Sequence, residues 1–293
     1  NNGTERTLIT GNYIGLNQSG TQALPNHRGI LVAVGAKYTQ IGGDTAAVQN
    51  VISGNTTNGV HIEKSSNTIV QGNYIGTDPS GTAAIPNQGN GIEIVDPGSN
   101  TIGGPLGGEN CSGVCNLISG NLGAGIAIYQ SSENTIQGNF VGSDRTGEGD
   151  LGNGQGGIRL NLMGTDDNKI GGDGAGEGNQ VRFNQGGGMT LTMSTSRNEL
   201  DGNIIENNYG VAIRYHPGNI LGVNHCSGND PNLVEVKPGP LYPGDATREG
   251  ETWLAQGDLT RFVVVNHPGL GDDMIVQPGS TWQVGPGVEV LFD

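Results

Sequence analysis

Apolar residues in this chain fall in clusters of two or three, separated by polar and glycine-rich stretches, and the clusters recur. Asn67-Thr68-Ile69, Asn100-Thr101-Ile102, Asn134-Thr135-Ile136, Asn168-Lys169-Ile170 and Asn198-Glu199-Leu200 open successive units 33, 34, 34 and 30 residues apart. In most units a second cluster follows another asparagine, as in Asn50-Val51-Ile52, Asn73-Tyr74-Ile75, Asn116-Leu117-Ile118, Asn139-Phe140-Val141 and Asn203-Ile204-Ile205. A third reads Gly-apolar-x-apolar: Gly59-Val60-His61-Ile62, Gly91-Ile92-Glu93-Ile94, Gly125-Ile126-Ala127-Ile128, Gly157-Ile158-Arg159-Leu160, Gly188-Met189-Thr190-Leu191 and Gly210-Val211-Ala212-Ile213. Apolar residues two apart share one face of a strand. Strands this short cannot bury that face alone, so each unit must stack on its neighbours. The pattern predicts an all-β, right-handed parallel β-helix: one coil per unit, three parallel sheets around an apolar shaft, and seven to eight coils plus a C-terminal β segment.

Composition supports the same architecture. Among the 293 residues, 55 are Gly and 32 are Asn, and only 14% are charged. Asn tolerates left-handed backbone, and its amide can bond to the Asn one coil above, so recurrent Asn suits a buried bend. Loops alternate in character. Ile14-Gly15-Leu16-Asn17, Ile75-Gly76-Thr77-Asp78 and Val141-Gly142-Ser143-Asp144 each lead into a longer excursion, whereas Val51-Ile52-Ser53-Gly54-Asn55 and Leu117-Ile118-Ser119-Gly120-Asn121 do not. A superperiod of two coils, 61 to 66 residues, follows.

The formal net charge of −15, with 13 Lys and Arg against 28 Asp and Glu, argues against a nucleic-acid partner or an anionic membrane surface. No apolar run reaches membrane-span length, so membrane insertion is not expected. Without an initiator Met or a signal-peptide pattern at Asn1, the sequence reads as processed or trimmed. Cys111 and Cys115 lie in one Gly-rich loop, Cys-Ser-Gly-Val-Cys, at a spacing suited to a small disulfide in an oxidising compartment. Too few ligands accompany them for zinc, and Cys226 is left over, either buried or open to pairing between chains. A secreted, extracellular or cell-surface location is the expectation.

Over about residues 4 to 224 these repeats resemble the parallel β-helix repeat family, whose members include pectate lyases, polygalacturonases, mannuronan epimerases, NosD-type maturation proteins and multi-module bacterial surface proteins. The resemblance implies the fold but no single activity, since enzymes and inert stalks share it. Members that act on polysaccharide carry clustered Asp residues with Gly-His-Gly and Arg-Ile-Lys in the hydrolases, Asp-Pro-His-Glu in the epimerases, or a Ca²⁺ site beside a Lys or Arg base in the lyases. Here Asp166-Asp167 is the one paired Asp within the repeats, read as a solvated turn, and Asp96-Pro97 continues as Gly98-Ser99.

Aligning the third strands gives one outward surface with chemistry. The first outward column is Leu31, His61, Glu93, Ala127, Arg159, Thr190 and Ala212; the second is Ala33, Glu63, Val95, Tyr129, Asn161, Thr192 and Arg214. His61 and Glu93 should be neighbours. At an inter-strand spacing of about 4.8 Å, the Cα atoms of Glu63 and Glu93 fall roughly 8 Å apart, near the carboxylate spacing of inverting glycosidases. Glu63, Glu93 and His61 are therefore the candidate catalytic groups, and Tyr129, Arg159 and Arg214 the candidate carbohydrate contacts. Against this stands a plain polar sheet face with an ion pair. The Asp78 and Asp144 loops, the latter with Glu148 and Asp150, are candidate Ca²⁺ ligands.

Beyond residue 232 only Asn266 remains of the Asn residues and Pro becomes frequent. This divides the chain into a β-helix over 1–232 and, over 233–293, a Pro-containing linker (238–243) with a β segment resembling the start of another module. Both ends carry strand-like sequence without an evident cap, which predicts end-to-end self-association or covalent neighbouring modules. The expected function is an extracellular scaffold, stalk, adhesin module or filament subunit that contacts polysaccharide; the alternative is a polysaccharide lyase or glycoside hydrolase.

Overall fold

In the computed structural model, residues 5–192, 195–216, 218–236, 251–253, 261–264, 282–284, 286 and 288–292 are described. The chain winds as a right-handed parallel β-helix with three long sheets. The first stacks eight strands: Leu8–Ile9, Gln40–Gly42, Ile69–Gln71, Thr101–Gly103, Thr135–Gln137, Lys169–Gly171, Glu199–Asp201 and Ile220–Leu221. The second stacks Tyr13–Ile14, Val51–Ile52, Tyr74–Ile75, Leu117–Ile118, Phe140–Val141, Gln180–Arg182, Ile204–Glu206 and His225–Ser227. The third runs from Ile30–Ala33 through Val60–Glu63, Ile92–Val95, Ile126–Tyr129, Ile158–Asn161, Met189–Leu191 and Ile213–Tyr215 to Val234–Val236, Arg261–Val264 and Glu289–Phe292. The strands at 261–264 and 289–292 thus add to the same sheet as the repeats, through Val234↔Phe262 and Phe262↔Val290. The 238–243 stretch lies outside the described residues.

Inside the shaft, equivalent residues stack on each other. Ile41, Val70, Ile102, Ile136, Ile170 and Leu200 line it from the first sheet, Ile52, Ile75, Ile118, Val141, Val181 and Ile205 from the second. Two further columns, headed by Ile30 and Val32, come from the third. Each fully buried aliphatic side chain contributes about 1.5–3 kcal/mol. A second, smaller core lies outside the shaft. There Val51, Tyr74, Leu117 and Phe140, on the outer face of the second sheet, pack with Leu16, Ile85, Leu106 and the Cys111–Cys115 disulfide. The excursions of alternate coils flank this outer core, each pinched by a two-strand contact, Leu16↔Ala23, Thr77↔Ala84 and Ser143↔Asp150.

Three asparagine ladders run along the corners. In each, the Asn of one coil donates its Nδ2 to the Oδ1 of the Asn in the next, and at most rungs its backbone N–H bonds to the same oxygen. The first ladder passes through Asn100, Asn134, Asn168, Asn198 and Asn219. The second passes through Asn12, Asn50, Asn73, Asn116, Asn139, Asn179, Asn203 and Asn224. The third passes through Asn26, Asn55, Asn87, Asn121, Asn153, Asn184, Asn208 and Asn229. Nearly all these amides are buried, and each closes polar groups that the bend would otherwise leave unpaired.

Two details of the expected register are corrected. Asn67 is not a rung of the first ladder: Ile69, not Thr68, pairs with Thr101, so Thr68 occupies the rung and donates its N–H to Asn100 Oδ1. Asn67 sits one residue earlier, in left-handed backbone at φ 56°. That corner position has positive φ in successive coils without glycine, at Arg6, Tyr38, Asn67, Ser99, Glu133, Asp167 and Arg197. The other slip is at Gly210-Val211-Ala212-Ile213. Met189 N–H bonds to Ala212 O, which puts Ala212 in the corner column held elsewhere by glycine. Ile213 then faces Met189, and Arg214 faces Thr190.

Candidate functional site

The third sheet presents its outward residues in the first column as Leu31, His61, Glu93, Ala127, Arg159, Thr190 and, after the correction, Arg214, followed by Glu235. Strand alternation sends His61 and Glu93 outward while Val60, Ile62, Ile92 and Ile94 enter the shaft. His61 Nδ1 lies 2.9 Å from Glu93 Oε1, and its Nε2 lies 3.7 Å from Glu63 Oε2. Although it points away from the shaft, the His61 side chain is only 7% exposed, whereas Glu93 and Glu63 reach 20% and 38%. Asn90 Nδ2 donates to Glu93 Oε2 at 2.6 Å, and Asn58 Nδ2 stands 3.2 Å from His61 Nδ1.

The hydrogen bond from His61 is the main cause that holds the Glu93 carboxyl below its ordinary value; burial opposes it, and Asn90, the charge on His61 and Asn58 add to it. An ionised carboxylate only accepts, so the proton between the two residues belongs on His61 Nδ1. Nε2 then faces Glu63 beyond hydrogen-bond reach. The result is a carboxylate-oriented imidazole bridging two coils, with a second carboxylate at its far nitrogen. Such a pair can orient a general base, but a general acid needs its carboxyl raised, and Glu93 is shifted the other way. Glu93 thus lies on the outward column, as the register predicts, but is bonded and largely covered there.

The candidate carbohydrate contacts do not converge. Tyr129 pairs in register with Asn161, and Arg159 pairs with Ala127 one column over, where its Nη1 donates to Gln155 Oε1 at 3.3 Å. Arg214 belongs to the first column, farther along, and its guanidinium is held by Glu235 at 2.8 and 2.9 Å. The repeat spacing does not reveal this because the coil containing it is short: Asn198 and Asn219 are successive rungs 21 residues apart.

Asp78 and Asp144 close their own loops. Partial burial works to raise the Asp78 carboxyl, but the Ser80 hydroxyl and the N–H groups of Ala83, Thr82 and Ser80 outweigh it and leave it below its ordinary value. Asp144 is lowered in the same way, by the Thr146 hydroxyl and the N–H groups of Gly149, Thr146 and Glu148 against partial burial. Asn17 holds the matching place in the first excursion, accepting from Thr21 and Gln22 N–H, so the turn needs a side-chain oxygen and not a charge. Among the described residues no three His, Cys, Asp or Glu gather as a metal site. Asp166 and Asp167 are likewise engaged, with Ser196 and Arg197 of the next coil.

One cluster escaped the sequence. On the outer face of the second sheet Glu206 binds Arg182 at 2.7 Å, His225 at 3.2 Å and the Ser227 hydroxyl at 3.1 Å. Registering Arg182, Glu206 and Ser227 as one column would have revealed it. Beneath it Cys226 is a core residue whose thiol is pushed up to about 12, by burial and then by Glu206, which makes it unreactive. No helix among the described residues is long and apolar enough to cross a membrane. No protein family matches the chain, and neither does any curated protein or solved structure.

Proposed function

We propose that this chain is a structural β-solenoid of an extracellular or cell-surface protein, a stiff spacer that displays its faces and carries out no chemistry. The observation that carries the reading is the three Asn ladders, which commit one buried amide per corner to stacking in coil after coil. The arrangement of the outer face supports it too: Glu93, Arg214, Glu206 and Asp167 are each tied to a neighbour on the next or preceding coil. The disulfide between Cys111 and Cys115 favours an oxidising compartment. The likeness to the parallel β-helix repeats of multi-module bacterial surface proteins belongs to this reading, as does contact with polysaccharide along the third sheet.

A second reading is favoured by one observation, the imidazole of His61 oriented by Glu93 with Glu63 at its far side. It is a polysaccharide lyase or glycoside hydrolase that uses this trio. Incubation with a panel of neutral and acidic polysaccharides, read by new reducing ends and unsaturated products, separates the two. The scaffold reading expects neither product; release by the parent chain, lost in both His61→Gln and Glu93→Gln, would overturn it.

A further inference from the structure

We infer that Asn17 is an acceptor for an asparagine-linked glycan, the modification site that the fold leaves open. The sequence contains four Asn-x-Ser/Thr triplets, beginning at Asn2, Asn17, Asn55 and Asn110. The one at Asn2 lies outside the described residues. Asn55 is fully buried in the third ladder, and its Nδ2 donates to Asn87 Oδ1 at 2.8 Å. A sugar on that nitrogen would replace a rung and has no room. At Asn110 the asparagine and Ser112 are exposed, but the middle residue of the triplet is Cys111, which is buried in the disulfide and whose N–H bonds to Arg145 O, so the triplet cannot leave the surface to enter a transferase as an extended segment.

Asn17 differs in that its amide is no ladder rung and the middle residue of its triplet is exposed and outside any disulfide. It opens the first excursion, with Gln18 and Ser19 exposed beside it. Its Oδ1 accepts from the N–H groups of Thr21 and Gln22 and from the Ser19 hydroxyl at 3.1 Å, so the hydroxyl that defines the triplet already touches the carboxamide. All the structural work falls on the oxygen. Nδ2 has no hydrogen-bond partner among the described residues, and the matching positions in the other two excursions are Asp78 and Asp144, which make the same turn without an amide nitrogen. The nitrogen is therefore free for substitution at no cost to the turn.

In the reaction, Nδ2 displaces the lipid pyrophosphate from the anomeric carbon of a lipid-pyrophosphate-linked oligosaccharide. The C–N bond forms as the C–O bond to pyrophosphate breaks, and one amide proton is lost. Natural occurrence rests on the extracellular reading; acceptor competence does not, and it can be measured separately. The full chain, routed through the secretory pathway of a glycosylating eukaryotic cell, is examined by intact mass and glycopeptide mapping before and after an N-glycosidase. Expected are one glycan at Asn17, its loss in Asn17→Asp, and equal unfolding temperatures for the glycosylated parent, the deglycosylated parent and the variant. An unmodified Asn17, a glycan confined to Asn110, or a glycosylated form that melts clearly lower would each overturn the assignment.

Discussion

A glutamate on a solvent-facing strand position usually contributes little to stability, but Glu93 accepts from His61 and Asn90 while four-fifths covered. Its carboxyl is held below the ordinary value of 4.5, the His61 hydrogen bond being the largest cause. A depressed carboxyl contributes stability that is complete above its value in the unfolded chain and lost as pH falls through its folded value. Glu93→Gln should therefore be less stable than the parent at pH 7, by about 1–2 kcal/mol, since the amide cannot accept from both donors as the carboxylate does. The gap should close as the pH falls below the ordinary value of 4.5 and through the lower folded value of Glu93, where the parent also loses the charge. Thermal melts at pH 7, 5 and 3 check this; a gap that stays constant with pH would refute it. Glu63, farther from His61 and more exposed, should show no comparable effect when changed to Gln.

At the scale of the element, the first ladder provides its own internal comparison. Asn134 Oδ1 accepts from both nitrogens of Asn100, and its Nδ2 donates to Asn168 Oδ1 and Ser131 Oγ. Asn134→Ala would strand several buried polar groups at about 1–3 kcal/mol each, so a loss of at least ~3 kcal/mol is expected in chemical denaturation. Thr68 sits at the N-terminal end of the same ladder, and its buried hydroxyl has no partner among the described residues. Thr68→Asn would extend the ladder by one rung, with Nδ2 reaching Asn100 Oδ1, and should raise stability by about 1 kcal/mol. A destabilised Thr68→Asn chain would show that the rung depends on more than the amide.

For the whole molecule, stability of a stack of coils is close to a sum of each coil and its contacts with its neighbours. Gly72-Asn73-Tyr74-Ile75-Gly76 and Gly138-Asn139-Phe140-Val141-Gly142 occupy equivalent places 66 residues apart, one superperiod. Excising residues 73–138 joins Gly72 to Asn139 and lets Asn50 stack on Asn139 as it now does on Asn73. The shortened chain should fold, lose the disulfide with its loop, and be shorter by two coils, about 10 Å, in small-angle scattering. A chain that fails to fold would mean that the outer core around Cys111 and Cys115 is needed by the whole stack.

Local sequence determined the class of fold. Short alternating apolar triplets, glycine at tight bends and an Asn at each corner admit few arrangements other than stacked coils, because each demand recurs in every unit. The neighbourhood of His61 and Glu93 was legible for the same reason, since strands Val60–Glu63 and Ile92–Val95 have equal lengths and unambiguous register. Only the tertiary structure decided where that regularity fails. Thr68 takes a rung that the spelling Asn67-Thr68-Ile69 assigns to its neighbour, and Arg214 moves to Glu235 because a 21-residue coil leaves no spare residue for the expected corner. A one-residue slip reverses which face a strand residue presents, so register at irregular coils depends on which backbone groups meet across the stack. Burial of His61 is of the same kind: its strand position points outward, and only its neighbours, Glu93 and Asn58 among them, cover it.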